Sequence, residues 1–460
     1  MKLTVMGGGG VRAPLFVGAA LRRQAQCSLD ELWLMDIDPE RLRLIGGLCQ
    51  QLAIEAGSPV RIHTTTDARA ALDGADYIVT TIRVGGEYGR VLDERIALRQ
   101  GVLGQETTGA GGFAMAMRSI PAILDYARLA DTYAPQAWIL NFTNPAGLVT
   151  QALHTAGFTR SVGICDGANL AQHDAARWFG MPVGQVRAEV FGLNHLSWTR
   201  KVWLGEQDVL PQILADRDFC AQSSLRVFDY ELLQLFGLYL NEYLYYYYFA
   251  ERALAQIQND PKTRGEEVLA LNQALLSHLA SRELQDNPRA ALQGYFAYEK
   301  RRSLTYMHYA RPEGPDLTDA DKLDLTPLVE TPEEGEGYAG VALDIIAAMQ
   351  TDVALETALI IPNQGAIEGM ESDDVVEVSA FVTRQEIRPK QIGSIPRQPA
   401  LLMQTVKLYE RLAVDAILQR SVRLAVQALM VHPLVLSYSR ATILVDEYLN
   451  AHAAFLGEWK

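Results

Sequence analysis

The N-terminal end of the chain combines a short apolar segment, a run of glycines and an apolar segment with helical spacing. Residues 2–6 are predicted to form a buried strand, residues 7–10 a tight turn and residues 15–23 a helix. Gly8 and Gly10 fit the G-x-G-x-x-A spacing of a dinucleotide-binding turn. Glycines in such a turn let the backbone approach a pyrophosphate, which then lies at the positive end of the helix. This feature favours a parallel α/β fold, but by itself it is a weak signal.

A second predicted strand ends in acidic residues at the distance expected for a ribose-binding carboxylate. The segment from Glu31 to Asp38 is apolar until it reaches Asp36 and Asp38. Asp36 is the predicted ribose ligand, and an acid at this place favours NAD over NADP. The alternative is that Asp36 only caps a turn, as aspartates often do.

Three further short segments are nearly continuously apolar, as the strands of a parallel sheet must be. They are residues 75–81, 137–140 and 161–164. Arg83 lies in the loop after the first of them, and Asn141 and Asn144 lie directly after the second. Because ligands bind at the carboxyl ends of such strands, these side chains are candidates for cofactor or sugar contacts. The pattern predicts an N-terminal doubly wound Rossmann-type domain.

The pattern changes after Trp198, so we expect two domains. The prediction is an NAD-binding domain over residues 1–196 and an α+β domain for substrate binding and oligomerisation over residues 197–460. Residues 232–266 have helical spacing and contain a cluster of tyrosines, of which most are expected to pack. Residues 402–456 are predicted to be mostly amphipathic helix and to form a dimer contact.

Cys165 and His195 follow two successive predicted strands. Cys165 ends the segment that begins at Ser161, and His195 follows the weakly alternating segment from Val186 to Leu193. A thiolate and an imidazole at neighbouring strand ends can bind one divalent metal and leave coordination positions open to a substrate. The spacing alone also fits a buried cysteine and a hydrogen-bonded core histidine, which are the commoner case.

The composition excludes several classes of partner. Hydrophobic residues make up 49% and charged residues 21%, as in an ordinary globular protein. The formal net charge of -14 argues against nucleic acid or an anionic membrane as the main partner, because both require a basic surface. We expect no signal peptide and no membrane span. The four cysteines have no disulfide-framework spacing, so a reduced, cytoplasmic protein is expected.

The ordered motifs resemble those of glycoside hydrolase family 4 over nearly the whole chain, and GQETTG and GLNHLSW resemble its 6-phospho-β-glucosidase branch. The matching segments are GGGG (7–10), DID (36–38), RVGG (83–86), DER (93–95), GQETTGAGGF (104–113), NFTNPAG (141–147), GICD (163–166), GLNHLSW (192–198), YLYYYY (243–248) and NQGAIEGM with DDVVEV, ending at residue 378.

The resemblance implies two cofactors, NAD and a divalent metal, usually manganese, and a redox-elimination mechanism unlike that of two-carboxylate glycosidases. Hydride leaves C3 of the sugar, the C2 proton is removed, the glycosidic oxygen leaves, water adds and hydride returns. Cys165 and His195 would hold the metal, and Tyr243 would be the base. Asp166 would orient the C3 hydroxyl or assist the leaving group.

The remaining predicted site residues contact the cofactor or the small-molecule glycoside. Cofactor contacts are predicted for Gly8, Gly10, Asp36, Arg83 and Asn144. Substrate contacts are predicted for Arg95, Asn141, Asn144, Asn194, Arg264 and Asn363. The enzyme is expected to be a homodimer or a homotetramer.

Two departures from the family pattern affect the expected substrate, a 6-phosphorylated β-glucoside. Asp166 follows the metal cysteine, as in phospho-α-glucosidases, where the β branch mostly has Asn. Arg12 and Pro362 occupy places where phosphate-binding members have a serine and an arginine. Arg12 and Arg264 could replace the lost phosphate contacts. Equally, the substrate could be α-linked or unphosphorylated.

Two other classes of function are compatible with parts of the sequence. The Rossmann half alone would suit a hydroxy-acid or sugar dehydrogenase, which would need no metal at Cys165 and His195 and would accumulate NADH. An inactive, NAD-responsive binding protein would bind the cofactor without turnover. The presence of Cys165, His195 and Tyr243 together argues against the inactive binding protein.

Overall fold

The computed structural model describes residues 1–283, 286–310 and 337–460. Its strands form a nine-stranded sheet and a smaller four-stranded sheet. In chain order they are β1 Lys2–Met6, β2 Glu31–Met35, β3 Arg61–Thr65, β4 Tyr77–Thr80, β5 Trp138–Asn141, β6 Ser161–Gly163, β7 Val186–Leu193, β8 Leu196–Leu204, β9 Gln207–Asp208, β10 Tyr239–Leu240, β11 Leu355–Pro362, β12 Val375–Val382 and β13 Ile387–Pro389.

The large sheet has the strand order of a Rossmann domain at one end. Six parallel strands lie in the order β3-β2-β1-β4-β5-β6, which is the doubly wound arrangement. The residues of β4 are buried throughout, because helices cover both faces of the sheet. The predicted α/β fold with an N-terminal Rossmann-type domain is therefore confirmed.

The C-terminal part of the chain completes this sheet. β11 pairs antiparallel with β6, and β12 and β13 continue the sheet beyond it. β7 to β10 form the second, antiparallel sheet, which packs beside β12. The hairpin of β7 and β8 spans residue 196, so the predicted division there falls at the beginning of β8.

The helices cover the large sheet and build the helical half of the molecule. They are Ala13–Arg22, Pro39–Arg41, Gly47–Glu55, Ala68–Leu72, Gly86–Arg99, Gly109–Tyr133, Ala146–Thr155, Leu170–Phe179, Leu210–Ala215, Arg217–Gln222, Tyr230–Phe236, Tyr245–Tyr248, Ala250–Asn259, Arg264–His278, Pro288–Leu304, Gly337–Gln350, Arg397–Gln419, Val422–Val431, Tyr438–Ala451 and Ala453–Leu456.

The prediction of one helical segment over residues 232–266 was wrong. The first helix there ends at Gly237, whose φ of 61° is left-handed, and β10 follows. Asn241 then accepts a hydrogen bond from the backbone N–H of Tyr243 at 3.0 Å and begins a 3₁₀ turn. Tyr243 thus leaves the helical face on which the sequence placed it. The predicted crossover over residues 301–331 lies largely outside the described residues.

Candidate active site

A cleft of about 1020 Å³ lies at the carboxyl ends of the parallel strands. It extends from the glycine turn after β1, past the loops after β4 and β5, to the 3₁₀ turn that carries Tyr243. The structure brings eight of the predicted site residues to its walls. They are Gly10, Asp36, Arg83, Asn144, Asp166, His195, Tyr243 and Arg264.

The glycine turn is built as a dinucleotide site requires. The backbone N–H groups of Gly7 and Gly8 both donate to the carbonyl oxygen of Met35 at 2.8 Å, which holds the turn against β2. A Cβ atom on Gly8 would lie 2.6 Å from the side chain of Leu34, so Gly8 permits this packing and does not line the cleft. Gly10 lines the cleft before the helix that begins at Ala13.

Asp36 directly follows β2, beside this turn. Its carboxylate accepts hydrogen bonds from the backbone N–H groups of Gly9 at 3.0 Å and Asp38 at 3.1 Å. Burial raises the pKa of Asp36 above its ordinary value, and the two N–H groups act in the opposite direction. The carboxylate is therefore fixed at the cleft wall with acceptor capacity left for a ribose hydroxyl.

Cys165 and His195 meet behind the cleft. The Sγ atom of Cys165 lies 3.5 Å from Nε2 of His195, and both residues are buried. His195 lies in the turn between β7 and β8 and has a left-handed φ of 62°. Nδ1 of His195 is buried without a hydrogen-bond partner. Burial lowers the pKa of His195 to about 4, so the imidazole is neutral at pH 7 and can act as a ligand.

This pair fits one divalent metal ion. Ligand distances of roughly 2.3 Å to sulfur and 2.1 Å to nitrogen, at a near-tetrahedral angle, separate the two ligand atoms by about 3.6 Å. Among the described residues, no group of three or more His, Cys, Asp or Glu side chains could hold a metal. A metal held by Cys165 and His195 would therefore have open positions for substrate oxygens. Burial raises the pKa of Cys165 well above its ordinary value, and a bound cation would favour the thiolate.

Tyr243 stacks directly on the ring of His195. The ring centroids are 3.8 Å apart and the planes differ by 4°. Tyr306 forms a side-chain hydrogen bond with the Tyr243 phenol. Burial raises the pKa of Tyr243 well above its ordinary value, and Tyr306 acts in the opposite direction. The phenol is thus beside the cysteine–histidine pair at the wall of the cleft.

A chain of alternating charges lies next to this pair. Glu106 accepts a hydrogen bond from Nη1 of Arg83 at 2.6 Å and lies 3.2 Å from Nη1 of Arg90. Burial alone would raise the pKa of Glu106, but Arg83 and Arg90 lower it to about 2. Arg83, a predicted cofactor ligand, is therefore anchored by Glu106 and by Glu87 at 3.3 Å.

Several predicted substrate ligands are engaged elsewhere. Asn141 is fully buried and accepts from Thr80 Oγ1 at 2.8 Å, and Asn363 binds the backbone of Ile367. Arg95 donates to Glu266 at 2.8 Å. The structure does not bring Arg95, Asn141 or Asn363 to the cleft.

Asn194 and Arg264 are close to the site but already hydrogen-bonded. Asn194 accepts from the backbone N–H of Gly147 and donates to Glu377, each at 3.2 Å. Arg264 lines the cleft, but Nη1 donates to both Glu267 and Thr305 at 2.6 Å.

Sequence analysis missed several residues of the cleft. Glu106 belongs to the GQETTGAGGF motif, in which no site residue was predicted, and its charge among glycines was the available signal. Tyr306 and Phe455 also line the cleft, and no local pattern marks either of them. Glu377 is fully buried near Cys165, and burial raises its pKa to about 7. It lies in the DDVVEV motif.

A Rossmann-type dinucleotide cleft that also contains a cysteine–histidine pair and a stacked tyrosine defines an NAD-dependent enzyme with a metal-assisted step. Comparison with known proteins agrees. Residues 2–181 match the model of family 4 glycosyl hydrolases, and residues 190–435 match that of the family 4 glycosyl hydrolase C-terminal domain. The chain belongs to glycosyl hydrolase family 4, and the prediction of a glycosidase is confirmed.

Three relatives illustrate the range of the family. A probable 6-phospho-β-glucosidase of Bacillus subtilis is 29% identical, over 100% of this chain and 98% of the relative. The 6-phospho-β-glucosidase of Thermotoga maritima, solved with manganese, NAD⁺ and glucose-6-phosphate, is 26% identical with a TM-score of 0.81 and covers 99% of each chain. A 6-phospho-α-glucosidase from gut microorganisms, solved with NAD and Mn²⁺, is 25% identical with a TM-score of 0.80, over 100% of this chain and 99% of that one. The predicted cofactors, NAD and manganese, agree with these structures.

In the part of the chain that is described, no helix has the length and apolar character needed to cross a membrane.

Proposed function

We propose that this enzyme cleaves 6-phosphorylated β-glucosides by oxidation at C3, removal of the C2 proton and elimination of the glycosidic oxygen. One observation carries the proposal: Tyr243 is stacked at 3.8 Å on His195, whose Nε2 lies 3.5 Å from the sulfur of Cys165, in the same cleft as the dinucleotide turn. A plain dehydrogenase would not need the cysteine–histidine pair.

The residues of the cleft suit the separate steps. When bound, NAD accepts and returns the hydride, and a divalent metal held by Cys165 and His195 polarises the C2 and C3 oxygens. Tyr243 removes the proton from C2, which the ketone at C3 has made acidic. Asp166, exposed at the cleft wall after β6, orients the C3 hydroxyl or protonates the departing oxygen. Asn144 at the end of β5 holds the cofactor or a sugar hydroxyl.

The full-length similarity to 6-phospho-β-glucosidases supports the choice of substrate. Lys262 and Arg302 place two further positive charges on the cleft wall for a phosphate. A second candidate, an α-linked or unphosphorylated glucoside, is favoured by Asp166 and by the pairing of Arg12 with Glu299 at 3.0 Å. This ion pair reduces the charge that Arg12 can offer to a phosphate.

The test uses matched chromogenic glucosides, α and β, each with and without a 6-phosphate. Each is incubated with enzyme, NAD⁺, Mn²⁺ and reductant in heavy water, and the released sugar is analysed by mass spectrometry. Deuterium at C2 of sugar released from the phosphorylated β-glucoside is the expected result. Release without deuterium, or NADH accumulating in step with product, would contradict the mechanism. Release from another glucoside alone would change the substrate assignment.

We also propose that the protein acts in the cytoplasm as a homodimer or homotetramer, without nucleic acid or membrane as a partner. The net charge of -14 supports the absence of these partners. The division into a cofactor domain over residues 1–196 and a substrate domain over residues 197–460 belongs to the same proposal. Light scattering after size-exclusion chromatography measures the oligomeric state, and a monomer would contradict it.

A further inference from the structure

Phe455 is an aromatic residue of the cleft wall that comes from the C-terminal end of the chain. It lies on the short helix Ala453–Leu456, lines the cleft and remains 50% exposed. The next residue, Leu456, is buried, so the segment is anchored to the protein while the Phe455 ring faces open space. An aromatic ring held over a ligand cleft is a surface on which a flat ligand group can pack.

The position of the ring along the cleft can be read from its neighbours. A Cβ atom built on Gly85 would lie 3.5 Å from Cε2 of Phe455 and 3.4 Å from Nε of Arg118. Phe455 therefore packs at the loop that follows β4, level with Arg118 on the helix Gly109–Tyr133.

Residues along the helix Gly109–Tyr133 show which end of the cleft is the ribose-binding end. One and two turns after Arg118, Ala122 and Tyr126 also line the cleft. Tyr126 lies near the ribose-binding end. Burial is the largest cause of the raised pKa of its phenol, and the nearby charge of Asp36 is the second. One turn before Arg118, Met115 contacts Arg83 on the side of the cysteine–histidine pair. The Phe455 ring thus lies at the level of Arg118, between Arg83 at the catalytic end and Asp36 at the ribose end.

A buried cluster fixes the segment that carries Phe455. Nε2 of His452 lies 2.6 Å from Oδ1 of Asp93, and Arg118 donates to both Asp93 oxygens at 2.9 and 2.6 Å. The side chains of His452, Asp93 and Arg118 are each 1% exposed. Arg118 also donates from Nε to the carbonyl oxygen of Val84 at 3.1 Å. The cluster therefore ties the C-terminal segment to the loop after β4, on which a dinucleotide would lie.

We propose that Phe455 is an apolar contact for the adenosine half of the bound dinucleotide, and that Asp93, Arg118 and His452 are positioning residues that hold it there. The inference rests on the proposed function in one respect, namely that this cleft binds NAD. The C-terminal segment, which the sequence indicated only as a dimer contact, then forms part of the cofactor site.

Calorimetric titration of Phe455→Ala with NAD⁺ and with ADP-ribose tests the contact. Loss of one aromatic contact to a base should weaken the binding of both ligands about tenfold. Leu401→Ala, which removes a side chain that is 67% exposed and outside the cleft, serves as the matched control and should bind both ligands as the wild type does. Unchanged affinity of Phe455→Ala would overturn the inference while leaving the proposed function intact.

Two other outcomes are distinguishable. Weaker binding of NAD⁺ with unchanged binding of ADP-ribose would place Phe455 on the nicotinamide half and overturn the assignment. No binding of either ligand by the wild type would overturn the inference together with the proposed function.

The positioning role is tested separately with His452→Ala and His452→Gln. The glutamine amide can donate to Asp93 in place of Nε2, so it should restore ADP-ribose binding that the alanine variant loses. Mn²⁺ binding, followed by electron paramagnetic resonance, should be the same in both variants and the wild type. Wild-type ADP-ribose affinity in His452→Ala would contradict the positioning role. If His452→Ala does not fold, Phe455→Ala still tests the contact that the proposal names.

Discussion

The clearest quantitative prediction concerns Glu106, the carboxylate between Arg83 and Arg90. Its side chain is 18% exposed, and the two arginines lower its pKa from 4.5 to about 2. A displacement of this size corresponds to roughly 3 kcal/mol of stability at neutral pH, because each pKa unit is worth about 1.4 kcal/mol. Glu106→Gln keeps the shape of the side chain and removes this contribution.

The pH dependence has a definite sign. Because the folded-state pKa of Glu106 is below the unfolded value, its contribution is fully present well above pH 4.5. It is lost as the pH falls from 4.5 toward 2. By pH 3 about 2 of the roughly 3 kcal/mol should be gone. The free energy of unfolding of the wild type should therefore fall by about 2 kcal/mol more than that of Glu106→Gln between pH 6 and pH 3.

Urea unfolding of the cofactor-free protein, followed by tryptophan fluorescence at both pH values, measures this difference. Glu31 provides the control, because Trp33 and Arg61 also lower its pKa to about 2, but Arg61 is 62% exposed. Solvent screening should reduce the contribution of such a pair to about 0.5 kcal/mol or less in Glu31→Gln. Equal pH dependence in the wild type and Glu106→Gln, or a loss in Glu31→Gln as large as in Glu106→Gln, would refute the reasoning.

Two further predictions concern the metal and the base. Cys165→Ser should weaken Mn²⁺ binding, measured by electron paramagnetic resonance, by at least about a hundredfold, because loss of outer-shell partners alone costs about 10–100-fold. Its NAD⁺ affinity should be unchanged, and Cys220→Ser, which alters a buried cysteine outside the cleft, should bind Mn²⁺ normally. Tyr243→Phe should slow C2 proton exchange by about 10²–10⁴-fold with little change in KM, whereas Tyr245→Phe should not. The same exchange rate in Tyr243→Phe as in the wild type would mean that another group is the base.

The sequence predicted those parts of the fold that depend on neighbouring residues. The glycine turn and Asp36 could be predicted because both lie within one strand–helix–strand unit. Only 27 positions separate Gly9 from the carboxylate that it binds. β3 was missed, since its residues are only partly buried and carry no continuous apolar run. The tyrosine segment was predicted as helix because its spacing fits one, and the capping by Asn241 and the pairing of β10 with β8 overrode that preference.

The predicted site residues likewise divide into those that neighbouring residues could indicate and those that depend on distant parts of the chain. Cys165, His195 and Tyr243 come from a strand end, a hairpin turn and a 3₁₀ turn, and the family motifs, not the spacing, brought them together. Arg12 was expected to be available for a phosphate, but its partner Glu299 is 287 positions away in the sequence, so no local pattern could show the pairing. The identity of a charged residue shows which chemistry its side chain can perform. Only the fold determines which opposite charge it pairs with.

The C-terminal segment shows why this matters for the cleft as a whole. His452 contacts Asp93 across 359 positions of sequence, three residues before Phe455 at the cleft wall. Amphipathic spacing predicts the helices of this segment and the face that each buries, but it is silent about which partner the buried polar residues have. Asp93 and Arg118 already form a buried ion pair, and His452 adds a further hydrogen bond to Asp93 that holds the C-terminal segment against this pair. The shape of the cofactor cleft is therefore coupled to the end of the chain through buried charges. Substitutions at His452 should weaken dinucleotide binding before they affect metal binding at Cys165 and His195.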